Sequence, residues 1–222
     1  MYNSQDRQDK YLEENIFRGF KNGFFVDVGA HNGVSINNTL FFEKEHNWTG
    51  INFEPIKSVY DQLIQARPNC INYNLAIDET DGETTFILNK GATEVISGIQ
   101  SHYDSRHTNR LLHENGIYKS TTELIKVQTK RLETIFTENN IKNINYISID
   151  VEGAEFAVIK SINFDQVYID VIDFENNYTD VSIPIINYLI TKGYYILNYR
   201  GLDIMMIHKD SQFIRKEILL LE

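Results

Sequence analysis

Four acidic residues stand where apolar runs end: Asp27 inside residues 24–28, Glu54 after 48–53, Asp150 after 146–149 and Glu175 after 167–174. Runs of this kind read as strands buried on both faces. Ligands of open α/β sheets bind beyond the carboxyl ends of the strands, so the four acids converge on one cleft. Between the first two lies Asp27-Val-Gly29-Ala30-His31-Asn32-Gly33. Glycine allows a tight turn and a close backbone approach to a ligand. The nicotinamide-dinucleotide fingerprint G-x-G-x-x-G brings a pyrophosphate to a helix N-terminus. This loop lacks the middle glycine, and a carboxylate at its mouth repels a pyrophosphate. The same carboxylate suits a cation that carries amine and hydroxyl donors. S-adenosylmethionine has a sulfonium, an ammonium and a ribose diol. Glu54 follows the loop by about 20 residues, where dinucleotide folds place the carboxylate that accepts two ribose hydroxyls.

The elements that must position these residues alternate. Helical patterns over 11–20, 35–45 (with Ser35 as cap), 58–65, 132–139 and 154–161 separate strands at 24–28, 48–53, 71–77, 84–88, 123–129, 146–149 and 167–174. Pro184 reads as the first turn of a helix that Gly193 ends. Strands at 194–199 and 204–208, joined by a tight turn, make a closing hairpin whose last strand is antiparallel. The sum is a three-layer α/β sandwich. Residues 89–120 show no regular pattern and read as a substrate lid on a single domain spanning 1–222, with a helical N-terminal segment over about 1–22.

Composition narrows the function classes. With 31 acids against 21 basic residues, the formal net charge is −10, so neither nucleic acid nor an anionic membrane is an expected partner. The one cysteine, Cys70, forms neither an internal disulfide nor a multi-cysteine zinc site. No apolar stretch approaches the ~18 residues of a membrane span, and the first residues lack a signal-peptide core. The expectation is a cytoplasmic protein; its oligomeric state is not legible.

The stretch Ile149-Asp150-Val-Glu152-Gly-Ala-Glu155 supplies candidates for proton transfer. Asp150 and Glu152 are the first choices, with Glu175 from the next strand end and His31 from the glycine loop. Glu155 sits on a helical first turn, where a carboxylate also favours the helix dipole. Carboxylates with the amide oxygens of Asn176 and Asn177 are hard ligands that suit Mg²⁺, and the same groups would serve a hydrogen-bonded site for sugar hydroxyls. His102 and His107 belong to the irregular segment.

The chain resembles the FkbM family of S-adenosylmethionine-dependent methyltransferases. The likeness is carried by SQDRQDKYLEENIF, NGFFVDVGAHNGVSINNTLFFEK, NWTGINFEP, RPNCINYNLAI and YISIDVEGAEFAVIKSI, which cover most of the chain. It implies a class I, Rossmann-like methyltransferase fold with a seven-stranded sheet. It implies that Asp27, Gly29 and Gly33 line the methionine end, that Ala30 and Asp150 also belong to the cofactor site, and that Glu54 holds the ribose. Asn74 and Ala76 would lie beside the adenine, and the segment containing Gln8 would fold over the cofactor. The resulting expectation is O-methylation of a small acceptor, a sugar or glycan unit. The competing readings are a nicotinamide-dependent oxidoreductase or sugar epimerase, and a non-catalytic cofactor-binding module.

Overall fold

The computed structural model describes residues 1–214. Its strands are β1 (Phe24–Val28), β2 (Thr49–Phe53), β3 (Ile71–Tyr73), β4 (Ala76–Ile77), β5 (Gly82–Lys90), β6 (Gly98–Ile99), β7 (Thr121–Lys130), β8 (Asn143–Ile149), β9 (Tyr168–Glu175), β10 (Tyr194–Arg200) and β11 (Asp203–His208). Its helices are α1 (Gln8–Leu12), α2 (Leu40–His46), α3 (Lys57–Ala66), α4 (Ser105–Tyr118), α5 (Leu132–Glu138), α6 (Glu155–Lys160) and α7 (Thr179–Thr191).

Seven strands form one sheet in the order β10-β11-β9-β8-β1-β2-β3. Only β11 runs against its neighbours β9 and β10; the other pairs are parallel. This is the expected class I methyltransferase sheet. One face, with Val26, Ile51, Ile147, Ile149 and Ile172, packs on α5, α6 and α7 through Leu132, Ile135, Val158 and Leu189. The other, with Phe25, Trp48, Tyr146 and Val171, is covered by Leu12, Ile16 and Phe17 of the N-terminal helix and by Phe41 and Phe42 of α2. One register row breaks the apolar pattern: Asn72, Asn52, Asp27, Ser148 and Asp173 lie side by side across five strands. The next row toward the carboxyl ends aligns Glu175 with Asp203. The sheet thus presents its acids on the face that α1 and α2 cover.

Four local expectations change. The stretch 71–77 is two strands, because Asn74 turns the chain by donating from Nδ2 to the carbonyls of Glu54 (2.9 Å) and Pro55 (3.0 Å). β4 joins a separate four-stranded sheet, β4-β7-β5-β6, which packs on α3 through Val59, Ala76, Phe86, Ile99 and Val127. The helix expected from Ser35 begins only at Leu40: Ile36 is left-handed (φ 46°), and the Asn37 side-chain oxygen takes the N–H groups of Thr39 and Leu40. The segment 89–120 is ordered, and its largest part is the 14-residue α4, capped by the Asp104 carboxylate on the His107 N–H at 2.9 Å. Only His107 and Leu111 of α4 are buried, so its sequence carries almost no apolar period. Finally, Pro184 lies inside α7, whose first turn starts at Thr179; the carbonyl left without its N–H belongs to the exposed Asp180.

Candidate active site

The glycine loop is held across the gap between strands. The N–H groups of Gly29 and Ala30 both donate to the Phe53 carbonyl of β2, at 3.2 and 3.0 Å. Gly29 has φ +88°, and a Cβ there would run into the Asp150 carbonyl. Gly33 has φ +74°, and its missing Cβ leaves room for Leu63 and Arg67. Both glycines therefore serve chain-against-chain packing, and Gly33 stands behind the cavity wall, not against a ligand. A cavity opens over the loop, lined by Asp27, Gly29, Ala30, His31, Glu54, Ala76, Asp150 and Glu152 among others.

Asp27 is buried, and burial pushes its carboxyl above the ordinary range against the pull of Arg67, Thr39 and Asn37. Its Oδ2 accepts from Asn37 Nδ2 at 2.9 Å and Thr39 Oγ1 at 2.8 Å. Glu54 Oε1 accepts the Ile56 N–H at 2.6 Å, and burial raises its carboxyl to about 8, with Glu94 and Asp27 adding to the rise. Beyond Glu54 the wall turns apolar, with Leu75, Ala76, Ile77 and Phe86. Asn74 does not reach it; its amide is spent on the Glu54 and Pro55 carbonyls. Gln8 also lies off the cavity wall. It donates from Nε2 to the Asp203 carboxylate and accepts the Asp6 N–H, so it braces the acid beside Glu175.

At the other end Asp150, Glu152 and Glu175 bring carboxylate oxygens within 4.8 Å of one another. Burial first, then the Asp150 charge, pushes the Glu152 and Glu175 carboxyls upward; Asp150, open to the cleft, is raised by desolvation among its neighbours and by Asp203, Glu155 and Asp27. Glu152 is buried with a left-handed backbone (φ 55°), a conformation of order 1–3 kcal/mol uphill for a non-glycine residue. Its Oε2 lies 3.4 Å from Arg110 Nη1 and 3.5 Å from His107 Nε2. Glu155, by contrast, is tied to its own turn, accepting the N–H groups of Gly153 (3.0 Å) and Val151 (3.4 Å). A second, smaller cavity adjoins the cluster, lined by His102, His107, Glu175, Asn176, Asn177 and Tyr178 among others.

Of the residues expected at the site, Asp27, Gly29, Ala30, His31, Glu54, Ala76, Asp150 and Glu152 share the first cavity and Glu175 lines the second. Sequence reasoning missed Glu94, Val95, Ser97 and Ile99, which the 89–120 segment contributes to the first cavity. It also missed Arg110 and the Asn37–Thr39 pair. The one available signal was the Asn-Asn-Thr run just after the glycine loop, whose short polar side chains favour local capping.

A family model described as "Methyltransferase FkbM domain" matches residues 27–196. The chain belongs to the FkbM methyltransferase family. It is an S-adenosylmethionine-dependent methyltransferase, which sets aside the nicotinamide reading. Among solved structures, this FkbM chain is similar to Aeropyrum pernix fibrillarin in complex with natively bound S-adenosyl-L-methionine: 11% identity over 93% of this chain and 75% of that one, TM-score 0.52. That likeness shows the fold. Further matches are precorrin-6y C5,15-methyltransferase from Geobacter metallireducens (10% identity, 91% and 86% covered, TM-score 0.45) and M. capricolum TrmK in complex with S-adenosyl-homocysteine (9%, 96% and 73%, 0.42). No curated protein matches the chain. Among the described residues no helix is long and apolar enough to cross a membrane.

Proposed function

We propose that this methyltransferase acts on a hydroxyl of a small, non-anionic acceptor, a sugar or glycan unit. The observation that carries the reading is the carboxylate cluster at the boundary of two cavities, one lined by Asp27 and Glu54 and the other by Asn176, Asn177 and Tyr178. The first cavity suits the cofactor by its donor set. Asp27 would receive the ammonium, Glu54 the ribose diol, and the Leu75–Phe86 wall the adenine. S-adenosylmethionine supplies a methyl group already activated on a sulfonium. The chain's part is to aim a hydroxyl at that group and to take its proton. Carboxylates and amides accept hydroxyl donors, and a tyrosine face suits a sugar ring. Glu152, between Arg110 and His107, whose imidazole is pushed below its usual value by burial, is assigned as the base, with Asp150 and Glu175 orienting the acceptor. Helix α4 acts as the acceptor-side lid. Its Arg106 reaches Asp180 at 2.7 Å and stands over the Tyr178 ring at 4.0 Å, tying α4 to the start of α7.

The test is transfer of a radiolabelled methyl group to a panel of neutral sugars, amino sugars and sugar phosphates, with Mg²⁺ and with EDTA. The metal arm is included because the three carboxylates offer hard oxygen ligands. Label on a neutral sugar oxygen, lost in Glu152→Gln, is the expected result. Label on nitrogen, or only on phosphorylated acceptors, overturns it. Cofactor binding with no transfer to any acceptor favours the non-catalytic module.

A further inference from the structure

Arg67 is fully buried just past the end of α3, where its guanidinium stacks 5.1 Å from the Phe25 ring and pairs through Nε with the Glu43 carboxylate. Its other nitrogens face the loop that follows β1. Nη1 donates to the Gly33 carbonyl and to Asn37 Oδ1, both at 3.1 Å, and Nη2 donates to Thr39 Oγ1 at 3.0 Å.

These bonds settle two choices that the loop leaves open. An asparagine amide can sit either way round, and a threonine hydroxyl can turn its proton to several partners. With Arg67 and the N–H groups of Thr39 and Leu40 all donating to Asn37 Oδ1, the amide has one orientation, and Nδ2 faces Asp27. With Arg67 donating to Thr39 Oγ1, and Asn37 Oδ1 crowded by donors, the hydroxyl proton goes to Asp27. Both relays end on one oxygen, Asp27 Oδ2. Among the described residues no side chain donates to Oδ1, and Asp27 lines the cavity.

We propose that Arg67 is a positioning residue for the amino-acid end of the cofactor, acting through Asn37 and Thr39 to fix which oxygen of Asp27 meets the ammonium. The inference rests on the reading of Asp27 as the ammonium's partner. The same guanidinium is the largest influence opposing the upward push of burial on Asp27, so it favours the charged form that an ammonium requires.

The test is calorimetric titration with two ligands. S-adenosylhomocysteine carries the amino-acid end; 5′-methylthioadenosine lacks it. Thr39→Val removes one relay without changing size, and Arg67→Lys removes the fork that feeds both. Each variant is expected to weaken S-adenosylhomocysteine about tenfold and 5′-methylthioadenosine less than twofold, with Thr39→Ser near wild type. Equal weakening of both ligands makes Arg67 a brace for the fold alone and overturns the proposal, as does no weakening of either. If Arg67→Lys does not fold, Thr39→Val decides. Asp27→Asn separates the two levels. If it leaves the preference for S-adenosylhomocysteine intact, the reading of Asp27 itself fails. If it abolishes that preference while Thr39→Val and Arg67→Lys keep it, only the positioning role fails.

Discussion

The two ends of the cleft are built in opposite ways. At the cofactor end the acids are met by protein. Asp27 has two side-chain donors fixed by a buried guanidinium, and Glu54 takes a backbone N–H while Asn74 staples its carbonyl. At the acceptor end the acids face one another. Among the described residues, Glu152 has only the long contact to Arg110 as a hydrogen bond, and Glu175 accepts only from Asn177 Nδ2, at 2.6 Å. Two buried atoms without partners lie on residues that line the second cavity, His107 Nε2 and Asn176 Oδ1. Each unmade bond costs stability, which a ligand with hydroxyl donors would recover. On the proposed reading, the chain prebuilds the cofactor half of its reaction and leaves the other half for the acceptor to complete.

The harshest way to break this comparison is Gly29→Ala. The new methyl group would meet the Asp150 carbonyl in a backbone conformation that alanine rarely adopts, so the two halves would be pushed apart together. A loss of about 3 kcal/mol in urea denaturation is expected, with no measurable S-adenosylhomocysteine binding. A near-wild-type variant would mean that the loop and β8 do not depend on their close contact. Glu152→Gln is the next largest effect and falls at the boundary, where Glu152 lines the first cavity and faces Glu175. Loss of a positioned base lowers turnover by about 10²–10³, while S-adenosylhomocysteine affinity stays within about threefold. A parallel loss of both would mean that Glu152 serves the cofactor from that wall and is not the base.

What could be read from the sequence follows the same division. The alternation of strands and helices, the antiparallel last strand and the acids at strand ends were legible, because sheets buried on both faces leave continuous apolar runs. Asp27, Glu54 and Asp150 were legible because a carboxylate is conspicuous inside such a run. Helix α4 was not, since its buried stripe is only His107 and Leu111, and Gly116 and its polar neighbours suggest a loop. Nor was Arg67. Nothing in Ala66-Arg67-Pro68 says that this side chain turns inward, because its partners come from the far end of another loop. Gln8 and Asn74 were visible as polar residues near the site, but their spacing does not say that they brace its acids from behind.

The comparison sharpens with pH. Glu54 is raised from the ordinary carboxylate value of 4.5 to about 8 in the fold, so between those limits the native state holds a proton that the unfolded chain has released. Stability from this group is complete below the lower limit and is lost as pH rises toward the upper one. The slope it contributes is about 1 kcal/mol per pH unit, with Asp150, Glu152 and Glu175 acting in the same sense. The apo protein should therefore resist urea better at pH 5.5 than at pH 8, and Glu54→Gln should flatten the dependence. A Glu54→Gln variant with the same pH dependence as the wild type would mean that Glu54 is already ionised in the fold.

The smallest expected effect separates the neighbours of Glu54. Glu94, from the segment between β5 and β6, reaches His31 Nε2 at 3.3 Å and adds its negative charge to those that hinder ionisation of Glu54. Glu94→Gln keeps the size and a hydrogen-bonding group but removes that charge. Glu54 should then ionise at lower pH. Because ribose hydroxyls donate to the carboxylate form, S-adenosylhomocysteine affinity near pH 7 should rise by less than about threefold, and its pH profile should shift downward. An affinity that falls instead would show that Glu94 is itself a ligand of the ribose, and the cofactor end would then owe part of its prebuilt character to the inserted segment.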